Sequence, residues 1–333
     1  MKALALLSGG LDSTLAIKVI LDQGIEVEAV NFFTPFCRCN SKSGCAGGQA
    51  KKVAERFGVK FKMFYVGVEY FQILKNPKHG FGKNINPCID CRIMMHKKAK
   101  TYMREIGAAF IINGEVLGQR PMSQHRAAMT ITERESELSG LILRPLSAKL
   151  LPITIPEQEG WVDRERLLEI SGRSRKPQMA MAEEHEIGDY PCAAGGCLLT
   201  DPGFSRRMKD LLGHEELSLN AIELLKVGRH FRLNSGCKLV VGRDQQENEK
   251  LLQLIRPDDL CFMPEQINGP VAVGRGIFED NAVTKAAQIV ARYSDSLKAD
   301  QVKVKVEHVA LKKVDLITVD NNIKESQLDN LRI

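Results

Sequence analysis

The sequence predicts an α/β fold: a parallel-sheet domain followed by a smaller C-terminal α+β domain. Three observations carry this expectation. Strand-like and helix-like stretches alternate through the first 115 residues, a glycine-rich turn follows the first strand-like stretch directly, and β-rich stretches dominate beyond about residue 220. Such alternation favours parallel strands with helices on both faces, and ligands in such sheets bind at the carboxyl ends of the strands.

Lys2–Leu7 reads as a buried strand, and the segment from about Ser13 to Asp22 as a helix. Ile25–Phe33 reads as a second strand, and Gln49–Phe57 as a helix stopped by Gly58. Val59–Val66 reads as a third strand, Arg92–Ile106 as a helix ending at Gly107, and Ala108–Asn113 as a fourth strand. Residues 120–212 read as mostly helical, interrupted by Leu141–Pro145, Pro152–Trp161 and Cys192–Asp201. Gly213 to about Asn220 reads as a linker, which gives domains 1–212 and 213–333. Lys238–Val241, Val271–Val273 and the alternating Gln301–Val309 read as strands of the second domain.

A chain of 333 residues with 44% hydrophobic and 26% charged residues can bury a sizeable core. No apolar run reaches the roughly 18 residues of a membrane span, and the N-terminal stretch lacks a signal-peptide pattern, so a cytoplasmic location and no membrane partner are expected. In a reducing compartment nine cysteines, some at C-x-C and C-x-x-C spacing, point to metal or redox chemistry rather than disulfides. The formal charge of +6 is uneven: Lys and Arg outnumber Asp and Glu 30 to 23 over residues 1–214, against 17 to 18 over residues 215–333. The basic excess marks the N-terminal part as the place for a polyanion to dock.

Strand, then Ser8-Gly9-Gly10-Leu11-Asp12-Ser13-Thr14, then helix is an anion site in outline. Glycines let the backbone approach a ligand, exposed N–H groups and the helix dipole favour negative charge, and Ser8, Ser13 and Thr14 add hydroxyls. The Walker pattern is absent, since no Lys follows the glycines. The loop resembles the S-G-G-x-D-S loop of the PP-loop ATP pyrophosphatases (adenine nucleotide alpha hydrolase-like fold), which adenylate a carbonyl oxygen and release pyrophosphate. That resemblance implies ATP on Ser8, Gly9, Gly10, Asp12, Ser13 and Thr14, with Asp12 orienting a Mg2+–pyrophosphate end.

Cys88 and Cys91 form a C-x-x-C at a helix start, where the dipole is expected to lower thiol pKa values. Two thiols do not complete a zinc or iron–sulfur site. Further ligands could come from Cys192 and Cys197, or from Cys37, Cys39 and Cys45, which could also hold a separate zinc. Cys237 and Cys261 stand alone in apolar surroundings and read as buried structural cysteines.

Asn86-Pro87-Cys88-Ile89-Asp90-Cys91-Arg92, Gly114-Glu115-Val116-Leu117-Gly118-Gln119, Ser123-Gln124 and Leu143-Arg144-Pro145-Leu146 together resemble the tRNA 4-thiouridine synthases. The N-P-C-x-x-C string and Gly195-Gly196-Cys197-Leu198-Leu199 also resemble the tRNA 2-thiouridylases. The resemblance covers roughly residues 1–212. It implies an ATP-dependent tRNA uridine sulfurtransferase with Cys88, Cys91 and Cys197 or Cys192 on a 4Fe-4S cluster, or zinc in a small-molecule enzyme. It also implies Asp12, Cys88, Cys91 and Cys197 as catalytic, with Gly114, Gln119 and Gln124 near nucleotide and base. A persulfide on Cys197, resolved by Cys91, is a second sulfur route. Partners would be tRNA, a sulfur donor (sulfide or a cysteine desulfurase) and a second copy in a homodimer.

Val227-Gly228-Arg229-His230-Phe231-Arg232-Leu233 and Val240-Val241-Gly242-Arg243-Asp244, followed by Glu247-Asn248, resemble the RNA-binding domain of NFACT proteins. Arg229, Arg232, Lys238 and Arg243 are expected to form a basic stripe for RNA, or else to be solvated surface charges.

Overall fold

The computed structural model describes residues 1–37, 48–188, 190, 196–295 and 300–333. These fall into two compact units, Met1–Thr200 and Asp201–Ile333.

In the first unit the elements follow as β1 (Lys2–Leu6), α1 (Leu11–Leu21), β2 (Glu26–Phe33), α2 (Gly48–Arg56), β3 (Lys60–Tyr65) and α3 (Tyr70–Lys75). Then come α4 (Cys88–Glu105), β4 (Phe110–Asn113), α5 (Arg126–Glu135), β5 (Ile142–Leu143), the short α6 (Ile155–Gln158) and α7 (Lys176–Glu184). The five strands form one parallel sheet in the order β3-β2-β1-β4-β5. β1 is central, and Ala3, Leu4 and Ala5 are fully buried, as a strand covered on both faces requires. Strand order reverses beside β1, so the crevice for a ligand lies beyond the carboxyl ends of β1 and β4.

Two expectations need correction here. Residues 120–212 are not mostly helical: turns, loops and single 3-10 turns separate short helices, and Ile142–Leu143 pairs with Ile111 and Ile112 as a fifth strand. Helix α4 begins at Cys88 rather than near Arg92, which brings both cysteines into its first turn.

The second unit contains α8 (Pro202–His214), α9 (Leu219–Leu224), β6 (Arg229–Arg232), β7 (Cys237–Val241), α10 (Gln245–Leu254), β8 (Leu260–Pro264) and β9 (Ala272–Gly276). It ends with α11 (Asp280–Arg292), β10 (Gln301–His308), β11 (Lys313–Asp320) and α12 (Glu325–Leu331). Its antiparallel sheet runs β11-β10-β8-β9-β7-β6. The apolar side of α11, with Ala286, Ile289 and Val290, is buried in the same core as Phe231, Phe262 and Val304. Helix α8, placed before the linker by the sequence reading, lies in this unit: Asp201 caps it at Phe204 N, and its Asp210 accepts from Arg232 Nε at 2.9 Å.

Lys238 on β7 is fully buried and lies 2.6 Å from Glu215 as an ion pair without hydrogen-bond alignment. Burial pulls the Lys238 pKa down and Glu215 pulls it back up. Removing one partner of such a pair leaves an uncompensated buried charge. Glu215→Ala should therefore cost about 3–5 kcal/mol in urea unfolding, and pairing it with Lys238→Met should recover most of that loss.

Candidate active site

The anion loop occupies the crevice beside β1. Gly9 has φ 78°, and a Cβ there would stand 2.7 Å from Ala50 N at the start of α2. Both the left-handed backbone and the close approach therefore require glycine. Gly10 precedes α1 as its N-cap with no side-chain cap. The loop hydroxyls are used internally: Ser13 Oγ and Thr14 Oγ1 both donate to Gly10 O, at 2.9 and 3.1 Å. Ser8 N donates to Ser13 Oγ at 3.2 Å, Ser8 Oγ lies 3.0 Å from Ser13 Oγ, and Gly10 N donates to Ser8 Oγ at 3.3 Å. An anion at this loop would therefore meet backbone N–H groups and the dipole of α1, while the hydroxyls hold the loop in shape.

Beside the loop, the chain leaves β4 at Gly114. A Cβ on Gly114 would stand 2.4 Å from Ser13 N and 2.5 Å from Asp12 C, so the backbone after β4 lies directly on the first turn of α1. Gln119 Nε2 then donates to Asp12 Oδ2 at 3.2 Å. Asp12 Oδ1 is buried and has no hydrogen-bond partner. An acceptor-only oxygen left this way beside an anion loop fits a ligand that supplies a cation or a donor, and Mg2+ with a polyphosphate meets that requirement. The turn closes with Gly118 N donating to Gln124 O at 2.6 Å. Ser123 and Gln124 are buried, and Ser123 Oγ and Gln124 Oε1 are likewise unpartnered.

Glu115, 4% exposed, is held from two sides. Arg92 Nη1 donates to its Oε1, and Arg144 Nε donates to its Oε2 at 2.8 Å. Arg144 also binds Glu133. Arg92 lies one helical turn beyond Cys88 on α4. His96 lies beneath, its Nδ1 2.8 Å from Arg92 O and its Nε2 3.5 Å from Asn113 Nδ2. With Nδ1–H donating, Nε2 accepts, so the ring is neutral. Burial, aided by the charges of Arg92 and Arg144, pushes its pKa down to about 3.

The cysteines gather at the start of α4. Cys88 and Cys91 lie on the first turn of α4, and Cys91 N donates to Pro87 O. Cys197 pairs with Cys37 in an isolated antiparallel bridge, and Leu198 N donates to Phe36 O at 2.8 Å. Thr34 N donates to Cys37 Sγ at 3.3 Å. Each of Cys37, Cys88 and Cys91 lies near enough to Cys197 to influence its ionisation. Buried Tyr70, tilted against Phe36 at 5.2 Å, lies close enough to Cys91 to influence its ionisation.

The expected lowering by the helix dipole does not prevail at Cys91. Burial pushes its thiol up to about 12 despite the Tyr70 hydrogen bond and nearby Arg92, and burial also raises the Cys197 thiol. Among the described residues no group of three His, Cys, Asp or Glu is arranged to hold a metal ion, yet a four-thiol set on partly buried backbone has the soft donors that iron–sulfur clusters and zinc take. Cys39, Cys45 and Cys192 lie outside the described residues. Cys237 and Cys261 are buried on β7 and β8 of the second unit.

Sequence reading did not single out Tyr70, His96, Asn113 or Glu133, and it quoted Arg92, Glu115 and Arg144 only inside motif strings. The Asn86-Pro87 pair ahead of α4 was the available signal that a helix starts at Cys88. In the second unit the expected basic stripe is largely engaged: Arg232 with Asp210, Lys238 with Glu215, and Arg243 with Glu247. Arg229 stacks over Tyr293 at 4.6 Å and reaches Gly242 O at 3.4 Å.

The fold and this crevice define an α/β domain with a glycine-rich anion loop and a thiol group, and two family models match the chain accordingly. Residues 1–149 match the model described as "Thiamine biosynthesis protein (ThiI)", and residues 228–331 match "NFACT protein RNA binding domain". Similar proteins include two named "Probable tRNA sulfurtransferase". The one from Lysinibacillus sphaericus is 32% identical over 48% of this chain and 38% of its own length; the one from Thermococcus kodakarensis is 28% identical over 57% and 45%. The tRNA-specific 2-thiouridylase MnmA of Stutzerimonas stutzeri is 25% identical over 68% of this chain and 60% of its own. The chain thus spans less than half the length of the first two. A solved 4-thiouridine synthetase–RNA complex with bound ATP is 23% identical, with a TM-score of 0.40 over 60% of this chain and 45% of that one.

Gly114→Ala should drive its methyl into the α1 backbone and cost at least about 1–3 kcal/mol, with nucleotide affinity falling in calorimetric titration. For His96, the unfolded ring protonates near pH 6.5 and the folded one near 3, so the unfolded chain takes up the proton first as pH falls. Stability is full above pH 6.5 and declines toward pH 3, by roughly 3–5 kcal/mol in all. Urea midpoints across that range should show this slope, and His96→Gln should flatten it.

Proposed function

We propose that the chain is an ATP-dependent tRNA uridine sulfurtransferase, acting on the 4-carbonyl to give 4-thiouridine. One observation carries this reading: Gly114 packs directly on Ser13 of the glycine-rich loop, and the next residue, Glu115, accepts from Arg92, which follows the C-x-x-C on α4. The loop N–H groups and the dipole of α1 bind the ATP phosphates, and Asp12, oriented by Gln119, holds the pyrophosphate end. When bound there, Mg2+ would neutralise charge on the departing pyrophosphate. The uracil carbonyl oxygen attacks the α-phosphorus, pyrophosphate leaves, and the adenylated carbon becomes open to a sulfur nucleophile that displaces AMP. Cys88 and Cys91, with Cys197 or Cys192 as the third ligand, would hold a 4Fe-4S cluster, which would supply a site for sulfide when bound.

Two family-level observations support tRNA as substrate: the relatives named tRNA sulfurtransferase, and the RNA-binding model matched by residues 228–331. The fourth thiol, Cys37, favours a second reading in which a set of four cysteines holds zinc in a small-molecule enzyme. The 2-thiouridylase relative leaves the 2-carbonyl as the alternative target. Sulfide or a cysteine desulfurase would supply sulfur, in the cytoplasm, and the enzyme could act as a homodimer. No helix among the described residues is long and apolar enough to cross a membrane.

Mass spectrometry of tRNA nucleosides from a deletion strain should show loss of 4-thiouridine. Persistence of every thiolated nucleoside would overturn the tRNA assignment. Protein purified without oxygen should be brown, and Cys88→Ala should bleach it, whereas colourless protein carrying one zinc would select the second reading.

A further inference from the structure

The loop joining α3 to α4 is basic and carries an aromatic side chain into solvent. Residues 75–87 hold three lysines and no Asp or Glu, and Phe81 stands among them 41% exposed. Met122, 37% exposed, comes from a separate turn, the one that closes between Gly118 and Gln124. A Cβ on Gly82 would lie 2.9 Å from Met122 Cγ, so the Met122 side chain rests on the backbone directly after Phe81. Two exposed apolar side chains, distant in sequence, therefore share one rim.

That rim is tied to both halves of the site. Gly82 N donates to Asn86 O at 2.8 Å, and Cys88 N donates to the same oxygen at 3.0 Å. Asn84 has a left-handed backbone (φ 60°), which Asn tolerates, and its Nδ2 donates to Thr200 O at 2.8 Å. Thr200 N in turn donates to Cys197 O at 3.0 Å. On the Met122 side, Gln124 N donates to Arg120 O at 3.0 Å, and Gln119 of the same turn donates to Asp12.

Ser123 and Gln124, the two residues after Met122, are 1% and 4% exposed, and their Oγ and Oε1 have no hydrogen-bond partner. Such atoms are costly to bury, and a ligand with a polar edge relieves that cost. Lys78 is engaged by Glu135 at 2.8 Å. Lys75, Lys83 and Arg120 are exposed and, among the described residues, at ion-pair distance from no carboxylate. An apolar platform, unsatisfied polar atoms next to it and free cations around it match the face, edge and phosphates of an unpaired nucleotide.

We propose that Phe81 and Met122 form the stacking platform for the uracil that is to be thiolated, with Ser123 and Gln124 meeting its polar edge and Lys75, Lys83 and Arg120 its flanking phosphates. This rests on the reading that the chain thiolates tRNA. A base held there stands next to the cysteine-bearing segments and to the turn that touches Asp12, as adenylation followed by sulfur transfer requires.

The test uses the full chain purified without oxygen and an unmodified transcript of the tRNA that loses its thiolated nucleoside in the deletion strain. Phe81→Ala should weaken transcript binding in fluorescence anisotropy by about 5- to 150-fold. Phe81→Leu, apolar but without a π face, should behave like Phe81→Ala, and Phe81→Trp should bind as tightly as the native chain. Lys83→Gln should lower the slope of log affinity against log salt by about one, and Phe81→Ala should leave that slope unchanged. ATP affinity in calorimetry should be the same in every variant. With 5-iodouridine in the transcript, irradiation should crosslink the Phe81 or Met122 peptide to the nucleotide that is normally thiolated.

Native-like binding by Phe81→Ala and Phe81→Leu, in protein that still thiolates the transcript, would overturn the platform and leave the sulfurtransferase reading standing. A crosslink at a different nucleotide would overturn the assignment to the target uracil. A deletion strain that keeps every thiolated nucleoside would remove the sulfurtransferase reading and the platform with it.

Discussion

The first unit is organised around a single carboxylate. Glu115 sits where the chain leaves β4, buried and shared between Arg92 and Arg144. A buried carboxylate with one partner would be a liability; with two guanidiniums, and Glu133 balancing the second, the four charges sum to zero inside the protein. The arrangement fixes three things together. It sets the direction of the chain into Leu117–Gln124, it ties α4 to the end of β4, and its two guanidiniums add to the burial that keeps His96 neutral. Arg144 comes from the residues just after β5, so this two-residue strand has a clear structural role. Its pairing with β4 brings the second guanidinium to Glu115.

The same logic explains the balance at the thiols. A C-x-x-C at a helix N-terminus suggests ready ionisation, because the dipole and a neighbouring arginine both favour thiolate. Depth decides otherwise at Cys91: burial outweighs those influences and favours the neutral thiol. Tyr70 and Arg92 both favour the charged form of the Cys91 thiol, and burial outweighs them. Such a pocket suits sulfur that carries charge only when a cation or an electrophile arrives, which limits wasteful oxidation of an exposed thiolate.

Much of this was legible in the sequence, and the boundary of what was legible has a physical basis. β1, the loop and α1 were readable because their signals are local: an apolar run, glycines, then helical periodicity. β4 was readable for the same reason. Strand β5 was not, since two residues carry no period and only its partner Ile111–Ile112 makes it a strand. The pairing of Cys37 with Cys197 joins residues far apart in the chain, and no spacing rule reports it. Arg92, Glu115 and Arg144 stood in the motif strings, but that two cations meet on one anion is a tertiary fact. The hydroxyls of Ser13 and Thr14 were expected to face a ligand, and they turn instead to Gly10 O.

The second unit shows where a charge-based reading fails. Arg232, Lys238 and Arg243 were expected to offer positive charge to RNA, but each already faces a carboxylate at ion-pair distance. Releasing Lys238 from Glu215 would leave a fully buried ammonium alone, a cost that a surface contact with phosphate does not offset. Lys238 is therefore part of the structure of β7 and not a contact. Arg243 differs: it is more than half exposed, and its bond to Glu247 is worth little in water. A phosphate could displace that carboxylate at small cost. With 17 basic against 18 acidic residues from Glu215 onward, nonspecific attraction of a polyanion would also be weak. RNA recognition by this unit, if it follows its family match, would then rest on shape and a few exchangeable arginines such as Arg243, and it would depend on salt less steeply than a basic stripe would.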